Sequence, residues 1–144
     1  DLVISTDLVH HDMNAVAFGY PVGQIPQMET FSFKSDEALR KLAVQACRDV
    51  NPDIEVFEGR IASGDQFVAD QGVKDEIVKQ FDAYAVEMEG AAIAQAAYLN
   101  QIPFIVIRAI SDKADDSATV DYPAFEAKAI THSVNLLMEM IRSY

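Results

Sequence analysis

The sequence predicts an α/β domain with a largely parallel central sheet. Three observations point to it. Strand-like and helix-like segments alternate along the chain. The helix-like segments carry apolar residues at helical spacing and have capping residues at their starts. Finally, 104-FIVIRAI-110 is a β-branched and aromatic run that reads as a buried strand, and it stops at Ser111-Asp112 and clustered acids.

The elements follow in order. Residues 2–6 read as a short strand, and 10–28 as a loop rich in Gly, Pro and aromatics. Ser35 can cap a helix, with Asp36 and Glu37 in the favourable first turn. Leu39, Leu42, Ala43 and Ala46 then recur at helical spacing. Residues 54–62 suit a strand, broken by Ser63-Gly64-Asp65. Val73, Ile77, Val78 and Phe81 mark a second helix, and 84–86 a short strand. The stretch 90–99 is small and apolar nearly throughout, which predicts a buried helix. Pro103 opens the strand 104–110; Asp121 can cap the last helix, with Pro123 in its first turn. There is no internal repeat, linker or low-complexity segment, so the 144 residues read as one domain. The opening Asp1-Leu2-Val3-Ile4-Ser5 has no initiator methionine and reads as a start in mid-strand.

Composition excludes several classes. The net charge is −12, from 11 Lys and Arg against 23 Asp and Glu, which disfavours nucleic acid and anionic membranes as partners. No apolar run approaches the length of a transmembrane helix. Cys47 is the sole cysteine, so no internal disulfide forms and a reducing cytoplasm is expected. His10-His11-Asp12 does not meet a metal-ligand spacing, so no metal site is predicted. Asp115, Asp116 and Asp121 read as a solvated acidic loop, and Met138 and Met140 as core or interface filler.

In open α/β sheets ligands bind beyond the carboxyl ends of the strands. Three segments reach such ends. In 61-IASGDQFVAD-70, Ser63-Gly64-Asp65 is either a plain tight turn with Phe67 in the core, or a glycine that lets a ligand approach with Phe67 as a stacking platform. In 85-AVEMEG-90, Glu87 and Glu89 flank Met88 before an apolar helix. One glutamate suits the helix dipole, while two in so apolar a context call for partners such as sugar hydroxyls. Asp112 is either a turn or helix cap, or an acid whose pKa burial would raise and a nearby Arg108 would lower.

Ordered together, Ser63-Gly64-Asp65 with Phe67, Ala85-Val86-Glu87-Met88-Glu89 and Arg108-Ala109-Ile110-Ser111-Asp112 resemble the nucleoside phosphorylases and nucleosidases. With 16-VAFGYPVGQIP-26 they are most similar to the bacterial 5′-methylthioadenosine/S-adenosylhomocysteine nucleosidases. The resemblance implies a three-layer α/β/α fold with a central mixed, partly barrel-like sheet. It also implies hydrolysis of the N-glycosidic bond of 5′-thio-substituted adenosines to adenine and a thioribose, in methionine salvage, without a cofactor. The bond would break through an oxocarbenium-like sugar. By this resemblance Asp112, of the Ser111-Asp112 motif, protonates N7 of the purine, and Ser111 is a substrate-binding residue. Phe67 stacks on adenine and the Val68 backbone meets its edge. Glu89 binds the ribose hydroxyls, Met88 packs on the sugar, and Glu87 is a further substrate-binding residue. Tyr122 stands at an aromatic position, usually Phe, near the 5′ pocket, and Phe18 and Pro26 reach into that pocket of a partner subunit in a homodimer. Arg108 supports the site from within.

The chain is expected to be the C-terminal larger part of the family's domain. It lacks the first strands and the upstream glutamate that handles the attacking water, so it is expected to be incomplete as a catalyst alone. The stretch 10-HHDMN-14 departs from the family pattern, which puts local dimer contacts in question. A phosphorylase of the same fold and a non-catalytic nucleoside-binding protein stand as alternatives.

Overall fold

A computed structural model describes residues 1–110 and 122–144, with the side chains of the last helix described from 126 onward. Strand β1 (Leu2–His10) is the hub of the sheet. All of it but Thr6 and His10 is buried, as expected of a central strand covered on both faces. It runs well past the predicted 2–6. A register irregularity between Ser5 and Leu8 lets it continue through the polar Thr6-Asp7 step.

On one side β1 pairs in parallel with β3 (Val56–Ser63), from Leu2 opposite Val56 to His10 opposite Ser63. Strand β3 in turn pairs in parallel with β4 (Ala83–Glu87), which sets Ser63 opposite Glu87. Two short strands meet β1 antiparallel: β2 (Phe33–Lys34), unforeseen in the sequence, and β5 (Ile107–Ala109). The sheet is therefore mixed, which corrects the largely parallel expectation and agrees with the mixed sheet that the resemblance implied.

The helices cover both faces. Ala43, Ala46 and Cys47 of α1 (Glu37–Val50) and Leu136 and Met140 of α4 (Tyr122–Ser143) close over Leu2 and Ile4. Further along that face, Ile77 and Phe81 of α2 (Gln71–Phe81) pack on Val9, Ala62 and Ala83. Ala91 and Ala94 of α3 (Gly90–Leu99) cover the opposite face over Val3, Leu8 and Ile61. Each fully buried Leu or Ile in these clusters is worth about 1.5–3 kcal/mol against exposure. Three layers result, α/β/α.

Three local expectations need correction, and a fourth, on the two methionines, is met for one of them. Asp36, not Ser35, caps α1: its carboxylate accepts the Leu39 N–H at 2.8 Å, while the Ser35 hydroxyl meets Ser5 Oγ at 2.6 Å. Helix α3 has the predicted bounds but buries only Gly90, Ala91 and Ala94, leaving Ile93 and Leu99 exposed. The run 104–110 yields a three-residue, half-buried strand, because the regular ladder with β1 covers only 107–109; Val106 meets β1 at Ser5 alone, partly through its side-chain hydroxyl. Met140 joins the core, but Met138 is exposed. The cap expected of Asp121 and the acidic loop at Asp115 and Asp116 lie outside the described residues.

A largely buried ion pair is sunk in this framework. Asp7 receives a two-pronged bond from Arg60, Nε to Oδ1 at 3.0 Å and Nη2 to Oδ2 at 2.6 Å, and a third from Ser32 Oγ at 2.6 Å. Arg60 also donates to the Phe81 carbonyl at 3.0 Å and lies 5.8 Å from the centre of the Phe31 ring. The cluster ties β1, β3, the end of α2 and the loop before β2 together.

Candidate active site

The parallel register brings the carboxyl ends of β1, β3 and β4 side by side: His10, Ser63 and Glu87 align. Strand ends beside a helix start are where this architecture binds ligands.

Glu87 is the most enclosed charge here, with a side chain only 3% exposed. Both its oxygens are engaged. The Gly90 N–H reaches Oε2 at 2.8 Å, the Glu89 N–H reaches the same oxygen at 3.2 Å, and Ser63 Oγ donates to Oε1. Arg108 Nη2 lies 3.7 Å from Glu87 Oε2 and 3.8 Å from Glu89 Oε2. A buried carboxylate needs such partners. Glu87, expected among the substrate-binding residues, thus spends its hydrogen-bonding capacity inside the protein. The Glu89 side chain is 66% exposed, so it keeps acceptor capacity toward a ligand. Met88 between them is also exposed.

The turn after β3 is held from β1. The His11 N–H donates to the Ser63 carbonyl at 2.8 Å, and Asp12 Oδ2 accepts the Asp65 N–H at 2.7 Å. Gly64 N–H bonds the Glu87 carbonyl at 3.2 Å. A side chain at 64 would collide with the His11 ring, whose Nε2 stands 2.5 Å from where a Cβ would sit. Burial pushes the His11 pKa below 6.5, partly offset by Asp12 and Glu87. In the sequence His10-His11-Asp12 read as a poor metal motif and as a departure from the family pattern; the structure makes two of these residues the brace of the turn. No sequence signal pointed there, because the pairing depends on β1 running beyond residue 6. Among the described residues no group of three or more His, Cys, Asp or Glu is arranged to hold a metal ion.

Beyond the turn, Phe67 is 86% exposed, so the reading that tucks it into the core is set aside. Val68 packs against the cluster around Val9 and Phe81. Phe18 ends a single 3-10 turn, Val16–Phe18, and is 83% exposed. Pro26 lies half-buried in the next loop, where the Gln24 amide donates to the carbonyls of Met28 at 2.8 Å and Thr30 at 3.0 Å. Ser111 and Asp112 lie outside the described residues; Tyr122 opens α4, but its side chain is outside them too. The structure therefore gathers Glu87, Met88, Glu89 and Arg108 beside the Ser63 turn, and presents Phe67 and Phe18 on separate loops.

Comparisons with known proteins agree with this fold. The 5′-methylthioadenosine/S-adenosylhomocysteine nucleosidase of Bacillus cereus (strain B4264) is 42% identical over 142 residues, covering 98% of this chain and 61% of that protein. The solved 5′-methylthioadenosine/S-adenosyl homocysteine nucleosidase of Campylobacter jejuni superposes with a TM-score of 0.91 at 35% identity, over 100% of this chain and 62% of that one. The Neisseria meningitidis nucleosidase, solved in complex with methylthio-immucillin-A, gives a TM-score of 0.88 at 41% identity, over 100% and 62%. The chain thus spans about three-fifths of the length of these relatives. That corrects the expectation of a C-terminal part: the match covers most of the domain, and the shared length marks out no C-terminal portion. The model of the phosphorylase superfamily matches residues 1–142, from the first strand through the last helix, and the chain belongs to that superfamily.

Proposed function

We propose that the protein is an N-glycosyl hydrolase that cleaves 5′-thio-substituted adenosines, 5′-methylthioadenosine and S-adenosylhomocysteine, to adenine and a thioribose. The observation that carries the reading is the pair of carboxylates at the end of β4. Glu87 is locked inward by Ser63 and two backbone amides, and Glu89 is left exposed beside Arg108. A carboxylate so placed accepts two hydrogen bonds at once, as the hydroxyls of a ribose require. Relatives 42% identical that bear the nucleosidase name support the substrate class.

In this reading Asp112, beside Ser111, delivers a proton to N7 so that adenine leaves neutral. Glu89 holds the ribose hydroxyls and Met88 packs against the sugar. Phe67 stacks on the adenine and the Val68 backbone meets its edge. Tyr122 borders the 5′ pocket, and Phe18 and Pro26, exposed or half-buried on ordered loops, complete that pocket in a second subunit of a cytoplasmic homodimer. Glu87 serves the substrate through its hold on Glu89.

The test is adenine release from 5′-methylthioadenosine by the intact protein in phosphate-free buffer. Release without phosphate is expected. Release only after phosphate is added would make the protein a phosphorylase, and binding without release would make it a nucleoside-binding protein.

Phe67→Ala is expected to raise KM roughly tenfold, the worth of one base–aromatic stack of about 1–3 kcal/mol. The melting temperature should hardly move, because the ring packs on little of the protein. Steady-state kinetics and a thermal melt on the same preparation check both halves.

A further inference from the structure

Helix α3 starts without a capping side chain of its own. Glu89 stands at the cap position and makes no side-chain bond to the helix. Its first amides would be left without acceptors in a buried place, which costs free energy. Two residues from the neighbouring strands supply the acceptors. Glu87 takes the N–H groups of Glu89 and Gly90. Ser63, 2% exposed at the last position of β3, takes the Ala91 N–H on its hydroxyl oxygen at 2.7 Å. The same hydroxyl then donates its proton to Glu87 Oε1. Ser63 therefore both holds the Glu87 carboxylate and pins the helix with a single hydroxyl. Met88 and Glu89 lie between these two anchored points.

We propose that Ser63 is a positioning residue, whose hydroxyl fixes Glu87 and the first turn of α3 so that the Glu89 carboxylate is presented in a single orientation. Its consequence for catalysis rests on the hydrolase reading. Without the hydroxyl, the Ala91 N–H loses its acceptor and Glu87 loses a donor, so the carboxylate can turn away from the two amides it serves. Glu89 then loses its fixed backbone. Small misplacements of a group that orients substrate are costly in rate.

The experiment compares Ser63→Ala, Ser63→Thr and Ser63→Cys in the intact protein. Cysteine keeps the size and a weak donor, and so covers the case in which alanine fails to fold. Two substrates are used, 5′-methylthioadenosine and its 2′,3′-dideoxy counterpart, which lacks the hydroxyls Glu89 would hold. Amide exchange at Gly90 and Ala91 is read alongside. Ser63→Ala is expected to lower kcat/KM roughly 10- to 100-fold for 5′-methylthioadenosine, and far less for the dideoxy compound. Threonine should restore most of the loss, cysteine only part of it. Exchange at Gly90 and Ala91 should quicken in the alanine and cysteine variants.

Equal losses on both substrates would reduce Ser63 to a structural residue and overturn the proposal, as would unchanged kinetics. A wild type that cleaves neither compound would sink the hydrolase reading instead. The exchange rates would then decide for Ser63 alone: unchanged protection at Gly90 and Ala91 in Ser63→Ala refutes the positioning role, and lost protection upholds it.

Discussion

Asparagine in place of Asp112 is expected to cut adenine release from 5′-methylthioadenosine by about 10²–10⁴-fold, the usual contribution of a positioned general acid. The amide matches the carboxyl in size and can still hydrogen-bond to a purine nitrogen, but it has no proton to give. Binding should therefore survive while the chemical step fails. A fall in kcat with KM nearly unchanged is the signature of an interaction made in the transition state. Single-turnover measurements on variant and wild type separate that outcome from slowed product release. An Asp112→Asn enzyme that keeps most of its kcat would remove the acid from this position.

Alanine in place of Asp7 should give the largest loss of stability, about 2–4 kcal/mol, near the range for breaking one side of a buried ion pair. Arg60 would keep the Phe81 carbonyl, the Phe31 ring and the charge of Asp82. Removing both charges, as in Asp7→Leu with Arg60→Met, should cost less than either single change, because neither charge is then left alone in the interior. Denaturant midpoints of the three variants test this, and additive losses would count against it.

A pH dependence accompanies the pair. Burial alone would raise the Asp7 pKa, but the bonds from Arg60 and Ser32, the charge of Arg60 and the bond from Thr6 outweigh it, so the carboxyl lies below its ordinary value of 3.8. A depressed carboxylate contributes stability that is fully present above the unfolded value. That stability is lost as the pH falls below 3.8 through the folded value. Acid titration of stability should therefore be shallower in Asp7→Ala than in wild type below that pH.

Much of this architecture was legible in the sequence because helices announce themselves. The spacing of Leu39, Leu42, Ala43 and Ala46, and that of Val73, Ile77 and Phe81, placed α1 and α2 within a few residues of their observed bounds. Strand pairing was not legible. The direction of β5 depends on where Leu2 and Ala109 meet in space, and no local pattern encodes that. Strand β2 is two residues long, too short for alternation to show. At the site, Glu87 and Glu89 stood out as acids in apolar surroundings, but their division of labour did not. One points inward to Ser63, as the register of β3 against β4 dictates, and the other, past the strand end at the start of α3, is exposed. The bracing role of His11 and Asp12 was not legible because their partners, Ser63 at the end of β3 and Asp65 in the turn after it, are distant in sequence.

The central place of β1 also governs how the chain reaches this structure. Among the described residues its edges are paired by segments distant in sequence, Val56–Ser63 on one side and Phe33–Lys34 with Ile107–Ala109 on the other. Each pairing closes a long loop before it is rewarded, so assembly is dominated by non-local contacts. Domains of that kind fold in roughly milliseconds to seconds, slower than helical bundles of similar size. Until residues 107–109 arrive, the most buried of the described strands has a partly unpaired edge, and that interval is when the nascent protein is most prone to aggregate.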